Sequence, residues 1–373
     1  VLIVLTTSKE VPKSYSMKNY QLRRLSDQPI LKTSDVTPSI ANFDVLGAFN
    51  PAACLFNDEI LLLLRVAEAP KAEAGFIVIP LIEEQDGVPS LVIRRFPEPT
   101  EPYDPRVISL DGKVYLTSLS HLRLARSKDG IHFEIDDKPF LFPARMDESF
   151  GIEDARITFL DGKYWITYTA VSEHGPGVGL AVTTDFVNVE RVGMILPPPN
   201  KDVALFPKKI NGKYMLLHRP MVSEIGKPSI WLAESEDGVH WGNHRFLFGG
   251  RGHASQDPLA NPFGWEGGKI GAGPEPILTD EGWLVCYHGA NPLHSYSLAL
   301  ALLDKDDPAH VLDRSSLPLL SPELFWEREG FFPNVVFSNG WIQWPADSDK
   351  AGQIWVYYGA ADSGVGLAEL VRL

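Results

Sequence analysis

An all-β propeller is the fold this sequence predicts, and three observations predict it. A strand–turn–strand phrase with charged residues on its first strand recurs about every fifty residues, at 104–117, 154–167 and 201–220. Asp-Gly and Asn-Gly pairs separate the apolar runs, the strongest short signal for a hairpin. No stretch of about 12 residues carries a helical period, and 30 prolines and 31 glycines sit more easily between strands than in helices. Repeats near this period, built from short strands, belong to propellers, and equivalent residues of successive blades converge on one axis. The charges of the repeat are therefore expected to meet in a single pocket.

In chain order, residues 1–45 are polar, broken by Pro12, Pro29 and Pro38, and read as an extended N-terminal arm. Residues 46–373 read as one propeller domain. Its first group of strands is expected at 60–66, 76–82 and 91–96. The three phrase copies follow, each with a second half, at 122–127, 178–183 and 230–233. A fifth group is expected at 276–278, 283–288 and 298–303, and a sixth at 334–337, 354–358 and 365–370. Because terminal strands often close one blade jointly, five or six blades fit. The Gly-rich segment 248–268 is long for a hairpin loop and reads as functional or mobile.

Composition narrows the function. A net charge of −14 argues against nucleic acid, which needs a basic face. Cys54 and Cys286 are the two cysteines, without metal-ligand spacing, so a disulfide framework is not expected and a reducing compartment fits. No apolar run approaches the ~20 residues of a membrane span, and the opening Val-Leu-Ile-Val-Leu lacks a basic leader. A soluble cytoplasmic protein is expected; a homo-oligomer is left open.

Two constellations carry chemistry. Asp104, Glu153 and Asp154 begin strands and Asp362 follows one; paired carboxylates serve acid–base work on a glycosidic bond. An Asp at a strand start more often caps a turn, but two Asp-X-Arg phrases in register ask for more. Lys201, Arg219 and His288, with Arg65, Arg156 and Lys269, form a basic set suited to an anion. For Arg106 simple pairing with a neighbouring Asp is expected. There is no phosphate loop, dinucleotide fingerprint or Gly-x-Ser-x-Gly elbow. His240, His244 and His253 lack a matched carboxylate pattern, so no metal is expected. Among loop aromatics, Trp265 and Trp326 are the candidates for stacking on sugar.

The phrases Gly-Ala-Phe-Asn50-Pro, Leu-Leu-Leu-Arg65-Val, Gly-Ile-Glu-Asp154-Ala-Arg156-Ile, Leu-His-Arg219-Pro, Lys269-Ile-Gly-Ala-Gly-Pro, Tyr-His288-Gly and Tyr-Tyr-Gly-Ala-Ala-Asp362 resemble glycoside hydrolase family 130. That family comprises β-mannoside phosphorylases and β-1,2-mannosidases. The phrase Phe-Asp-Val-Leu-Gly-Ala-Phe-Asn looks most like members acting on β-1,2-linked mannosides. The resemblance implies a five-bladed β-propeller with a central axial active site. It implies Asp154 as general acid, acting directly or through a mannose hydroxyl, and Lys201, Arg219 and His288 as the cradle of inorganic phosphate. Asn50, Arg65, Lys269 and Asp362 fall on sugar-binding positions; Asp104 and Arg156, in register in their phrases, are added as substrate-binding candidates. No cofactor is implied beyond phosphate as co-substrate.

One departure matters. Phosphorylases of the family usually read Gly-Ala-Gly-x-Pro-Pro-Ile after the lysine, whereas this chain reads Gly-Ala-Gly-Pro-Glu275-Pro-Ile. Phosphate is itself a nucleophile, so phosphorolysis needs one acid and a cationic cradle; hydrolysis needs a carboxylate to activate water. Inverting phosphorolysis of β-mannosides to α-mannose 1-phosphate is therefore the expected reaction. The alternatives are an inverting β-1,2-mannosidase with Glu275 as base, assisted by Glu234, and a non-catalytic sugar-binding propeller. An arabinanase-like or fructosidase-like site, using three carboxylates, lacks the matching phrases.

Overall fold

The computed structural model describes residues 17–99, 104, 106–110, 112–222, 224–252 and 264–373. Among them strands dominate, and the α-helix Phe325–Arg328 is a single turn. The strands form four larger sheets and two hairpins; the largest sheet divides into two antiparallel units joined by one parallel pairing, Gly151 with Ser120, so that five antiparallel units follow one another. The first comprises Phe43–Phe56, Glu59–Pro70, Leu119–Ser127 and Glu134–Ile135; the second Gly151–Leu160, Lys163–Ser172, Gly175–Thr183 and Glu190–Leu196. The third comprises Asn200–Leu205, Tyr214–Pro220, Ile230–Ser235 and Gly242–Phe248. The fourth opens with a divided strand, Lys269–Ala272 and Ile277–Thr279, and continues through Gly282–Ala290, Tyr296–Leu303 and Val311–Arg314. The fifth, Val336–Gln343, Ile354–Ala360 and Gly364–Arg372, is completed by Tyr20–Arg24 from the other end of the chain, with Tyr20 opposite Arg372.

The apolar runs are continuous, not alternating, because both faces of each unit are covered. Leu61 and Leu63 face the second unit, while Ile60, Leu62 and Leu64 face the fifth. Likewise Ala299, Ala301 and Leu303 face the third unit and Leu298, Leu300 and Leu302 the fifth. Successive residues of a strand point to opposite faces, so one run supplies two cores. Five such cores lie between units one and two, two and three, three and four, four and five, and five and one. Each unit therefore packs on its two neighbours, the last on the first.

The N-terminal segment, from residue 17, is more than an arm. Arg24 reaches Glu327 through two bonds of 2.8 Å, and the Tyr358 hydroxyl donates to the same carboxylate at 3.0 Å. Residues 1–16 lie outside the described residues.

The expected first group is corrected. Phe76–Gln85 and Val88–Pro97 pair only with each other, as do Val107–Leu110 and Lys113–Leu116. Both hairpins are inserted between the second and third strands of unit one. The first phrase copy is thus not an inner strand, whereas the second and third are. Its outward valines, Val107 and Val114, are exposed, whereas Ile157 and Ile166 in the second copy are buried. A half-covered hairpin and an inner strand share one sequence phrase, so spacing alone does not separate them.

The first strand of each unit breaks midway. Register shifts fall between Phe49 and Ala52, Glu153 and Arg156, Lys201 and Ala204, and Phe337 and Gly340. In unit four the break is the gap between Ala272 and Ile277. Asn50, Asp154 and Asp202 take φ of 48°, 48° and 56° there. Asn and Asp tolerate this left-handed region best among residues with a Cβ, and a bulge re-aims a side chain. These breaks build the site.

Candidate active site

Units two and five bring the Asp154 and Asp362 carboxyl groups to the pocket, unit one brings Asn50 and Arg65, unit three brings Lys201, Arg219 and Asp202, and unit four brings Lys269. The pocket, of about 170 Å³, is lined by Asn50, Arg65, Asp154, Lys201, Asp202, Arg219, Lys269 and Asp362, with Tyr296, Phe332 and Phe337 as its aromatic walls.

Asp154 is held from two sides. Asn50 Nδ2 donates to its Oδ1 at 2.9 Å, and Arg65 Nη1 to the same oxygen at 3.3 Å. Arg65 also donates to Glu153 at 2.9 Å and to Ser120 at 3.1 Å, and its guanidinium lies 4.9 Å from the Phe49 ring. Burial pushes the Asp154 carboxyl up, but Arg65, Lys201 and Arg156 outweigh it, so the group is held below the usual carboxylate range. Asp362 behaves oppositely. Burial lifts it to about 7 against the pull of Arg65, with Asp154 and Glu153 adding repulsion. Asp154 is therefore a carboxylate, whereas Asp362 is about half protonated at neutrality and increasingly protonated below it.

The cationic wall is organised by Asp202. Its carboxylate pairs with Arg219 at 3.0 Å, Arg156 at 3.3 Å and His288 Nε2 at 3.3 Å. Together these partners outweigh burial and hold it well below the ordinary range. Gly271 makes room for the cluster, because a Cβ there would lie 2.1 Å from the Asp202 carboxylate and 2.6 Å from His288. Lys201 lies 3.7 Å from Glu153. Lys269 sits over the Tyr296 ring at 5.1 Å, and burial, with repulsion from Arg219 and Lys201, lowers it to about 8. Three cations thus crowd one wall, a surplus that an anion would relieve.

Several sequence candidates take other places. Arg156 lies beneath the pocket floor, donating to the backbone oxygens of Asp154, Ala272 and Gly273 and bracing the inner strands of units two and four. His288 stands behind Arg219, with its Nε2 3.2 Å from Arg219 Nη1, and burial drives it down to about 4 despite Asp202. It is a neutral support for the guanidinium and adds no charge to the cradle. Asp104 is exposed and outside the lining, paired with Arg106 at 2.8 Å. Trp265 packs against Tyr287 and Trp326 stacks on Tyr358, so neither is a pocket platform. Of the histidines, His240 pairs with Asp237 and His244 with His218, while His253 lies outside the described residues.

Glu275 lies outside the lining of this pocket. It lines a different cavity with Cys54, Phe159, Tyr164 and Trp341. It sits in the break between Ala272 and Ile277, where its backbone oxygen accepts from Trp341 Nε1 at 2.8 Å. Burial pushes its carboxyl well above the usual range, which favours the neutral form. Glu234 is equally remote, occupied by Lys213 and Arg245. Glu275→Gln is expected to leave turnover intact in a steady-state assay. A loss of about a hundredfold with the fold preserved, the scale of a missing acid or base, would return Glu275 to the chemistry.

Sequence reasoning missed Asp202, Tyr296, Phe332 and Phe337. Asp202 had a signal, since it occupies in the third phrase copy the register of Asp154 in the second.

Residues 118–372 match a family described as β-1,4-mannooligosaccharide phosphorylase. The chain is 44% identical over 347 residues to β-1,2-mannobiose phosphorylase of Listeria innocua, covering 91% of this chain and 93% of that protein. It is 40% identical over 255 residues to a 1,2-β-oligomannan phosphorylase of a Thermoanaerobacter species, covering 68% and 79%. Its fold superposes on the Listeria innocua enzyme, solved with β-1,2-mannobiose, with a TM-score of 0.84 at 41% identity, over 93% of this chain and 96% of that one. Through these matches and the pocket they span, the chain is placed in glycoside hydrolase family 130.

Proposed function

We propose that the protein is an inverting phosphorylase of β-1,2-linked manno-oligosaccharides, releasing α-mannose 1-phosphate. The five units are read as a five-bladed β-propeller with the pocket on its axis, one catalytic domain that includes the strand Tyr20–Arg24 along with residues 46–373. The observation that carries the reading is the company Asp154 keeps: it shares one pocket with Lys201, Arg219 and Lys269, three cations close enough to act on one another. The names of the two phosphorylase relatives support it.

Asn50, Arg65 and Asp362 hold the non-reducing mannose, leaving its anomeric carbon open to the cationic wall. A phosphate oxygen held by Lys201, Arg219 and Lys269 attacks that carbon as the bond to the leaving sugar breaks. The departing oxygen takes the proton of Asp154, directly or through a mannose hydroxyl. Phosphate itself prepares that proton: a dianion beside Lys201 cancels part of the field that keeps Asp154 ionised, so its affinity for a proton rises as co-substrate binds. The preorganised cations stabilise charge as it develops, without reorganisation.

The carboxylate of the cationic wall, Asp202, is paired with Arg219, Arg156 and His288 and held well below the ordinary range, which makes it a poor base for water, and Asp362 shares the Arg65 side with Asp154. A hydrolytic reading therefore lacks a strong base opposite the acid. Nuclear magnetic resonance of β-1,2-mannobiose incubated with enzyme and phosphate is expected to show the α anomer of mannose 1-phosphate as first sugar phosphate. Appearance of the β anomer would overturn the inverting mechanism.

A further inference from the structure

We propose that Asp104 and Arg106, on the inserted hairpin, clamp the leaving sugar at the pocket rim, so that Arg106 reads the second ring of the substrate. The inference rests on the mannoside reading above. An inner pocket of about 170 Å³ is small beside the ~300–1,000 Å³ of clefts that hold larger ligands. It suits a single ring, so the rest of an oligosaccharide extends outward across the rim.

Arg106 stands at that rim. Its guanidinium lies 4.7 Å from the ring of Phe332, which lines the pocket, and it acts electrostatically with Asp362, which also lines it. Asp104 fixes it in one orientation: Oδ1 accepts from Arg106 Nε at 3.0 Å and from its backbone N–H at 2.9 Å, and Oδ2 accepts from Nη2 at 2.8 Å. The fork leaves Nη1 without a protein partner among the described residues, on a side chain that is 34% exposed. A planar guanidinium locked over an aromatic ring offers a flat face and a free donor edge, which suits a sugar ring and its hydroxyls. The pairing of Arg106 with a neighbouring Asp therefore serves orientation, and the hairpin that departs from the five units gains a purpose.

The test runs the full chain in the synthetic direction, with α-mannose 1-phosphate as donor and mannose as acceptor. Arg106→Ala is expected to raise the acceptor KM on the order of tenfold or more, the scale of a lost charged hydrogen bond, with the donor KM unchanged. Asp104→Asn is expected to act in the same direction, less strongly. An unchanged acceptor KM, or equal rises in both KM values, overturns the clamp. Arg106→Gln, which preserves packing over Phe332, gives the same readout should the alanine variant misfold. If the parent protein forms no mannose 1-phosphate, the functional reading fails on its own. Calorimetry then decides the clamp: R106A should weaken β-1,2-mannobiose but not mannose, and equal weakening of both contradicts it.

Discussion

Asp154→Asn lowers the kcat for phosphorolysis of β-1,2-mannobiose by about 10²–10⁴-fold, the usual contribution of a positioned general acid. The amide retains the shape of the carboxylate and an oxygen for the bonds from Asn50 Nδ2 and Arg65 Nη1, but has no proton to give. The KM for mannobiose should therefore move little. β-Mannosyl fluoride, whose leaving group needs less protonation, should show a much smaller deficit. Steady-state kinetics on both substrates checks the assignment. Equal losses on both would mean that Asp154 holds the ring and does not supply the proton.

Arg219→Ala acts on two quantities at once. It removes a wall of the anion site, so the KM for phosphate should rise about tenfold or more. It also strips one partner from Asp202, a carboxylate with its side chain 1% exposed. Removing one member of a buried pair costs about 3–5 kcal/mol; here Arg156 and His288 remain beside Asp202, which places the loss at the lower end. Arg219→Lys should recover part of the phosphate affinity, because it restores charge without the fork. Phosphate titrations and thermal unfolding of both variants measure the two effects separately. An unchanged phosphate KM in Arg219→Ala would remove the residue from the cradle.

The strands were legible because turn pairs and apolar runs report local chemistry. The cores that join the units were not read: a short apolar run such as Ile60–Leu64 does not by periodicity alone say that both faces of a strand are buried. What else escaped depended on bulges. In a regular strand, Glu153 and Asp154 point to opposite faces, yet the register shift after Glu153 lets Arg65 bond to both. The same device turns Asp202 into the cluster that aligns Arg219, a role hidden in the ordinary-looking Lys-Asp-Val. Glu275 was misplaced for the reverse reason: the strand break in unit four marks a turn in sequence but does not say which end of the inner strand its side chain joins. His288 ends an apolar strand and was given a charge. Burial among Phe337, Tyr296 and Arg219 makes it neutral. The pocket aromatics came from strands and from the segment after the short helix, and composition gave no reason to prefer them to Trp265 or Trp326.

One acid and a cationic cradle in the same pocket have one direct consequence for kinetics. The initial rate of β-1,2-mannobiose consumption, measured against phosphate concentration, should saturate and extrapolate to zero without phosphate, with one α-mannose 1-phosphate formed per bond cleaved. A rate independent of phosphate, with mannose as the only sugar product, would contradict the account.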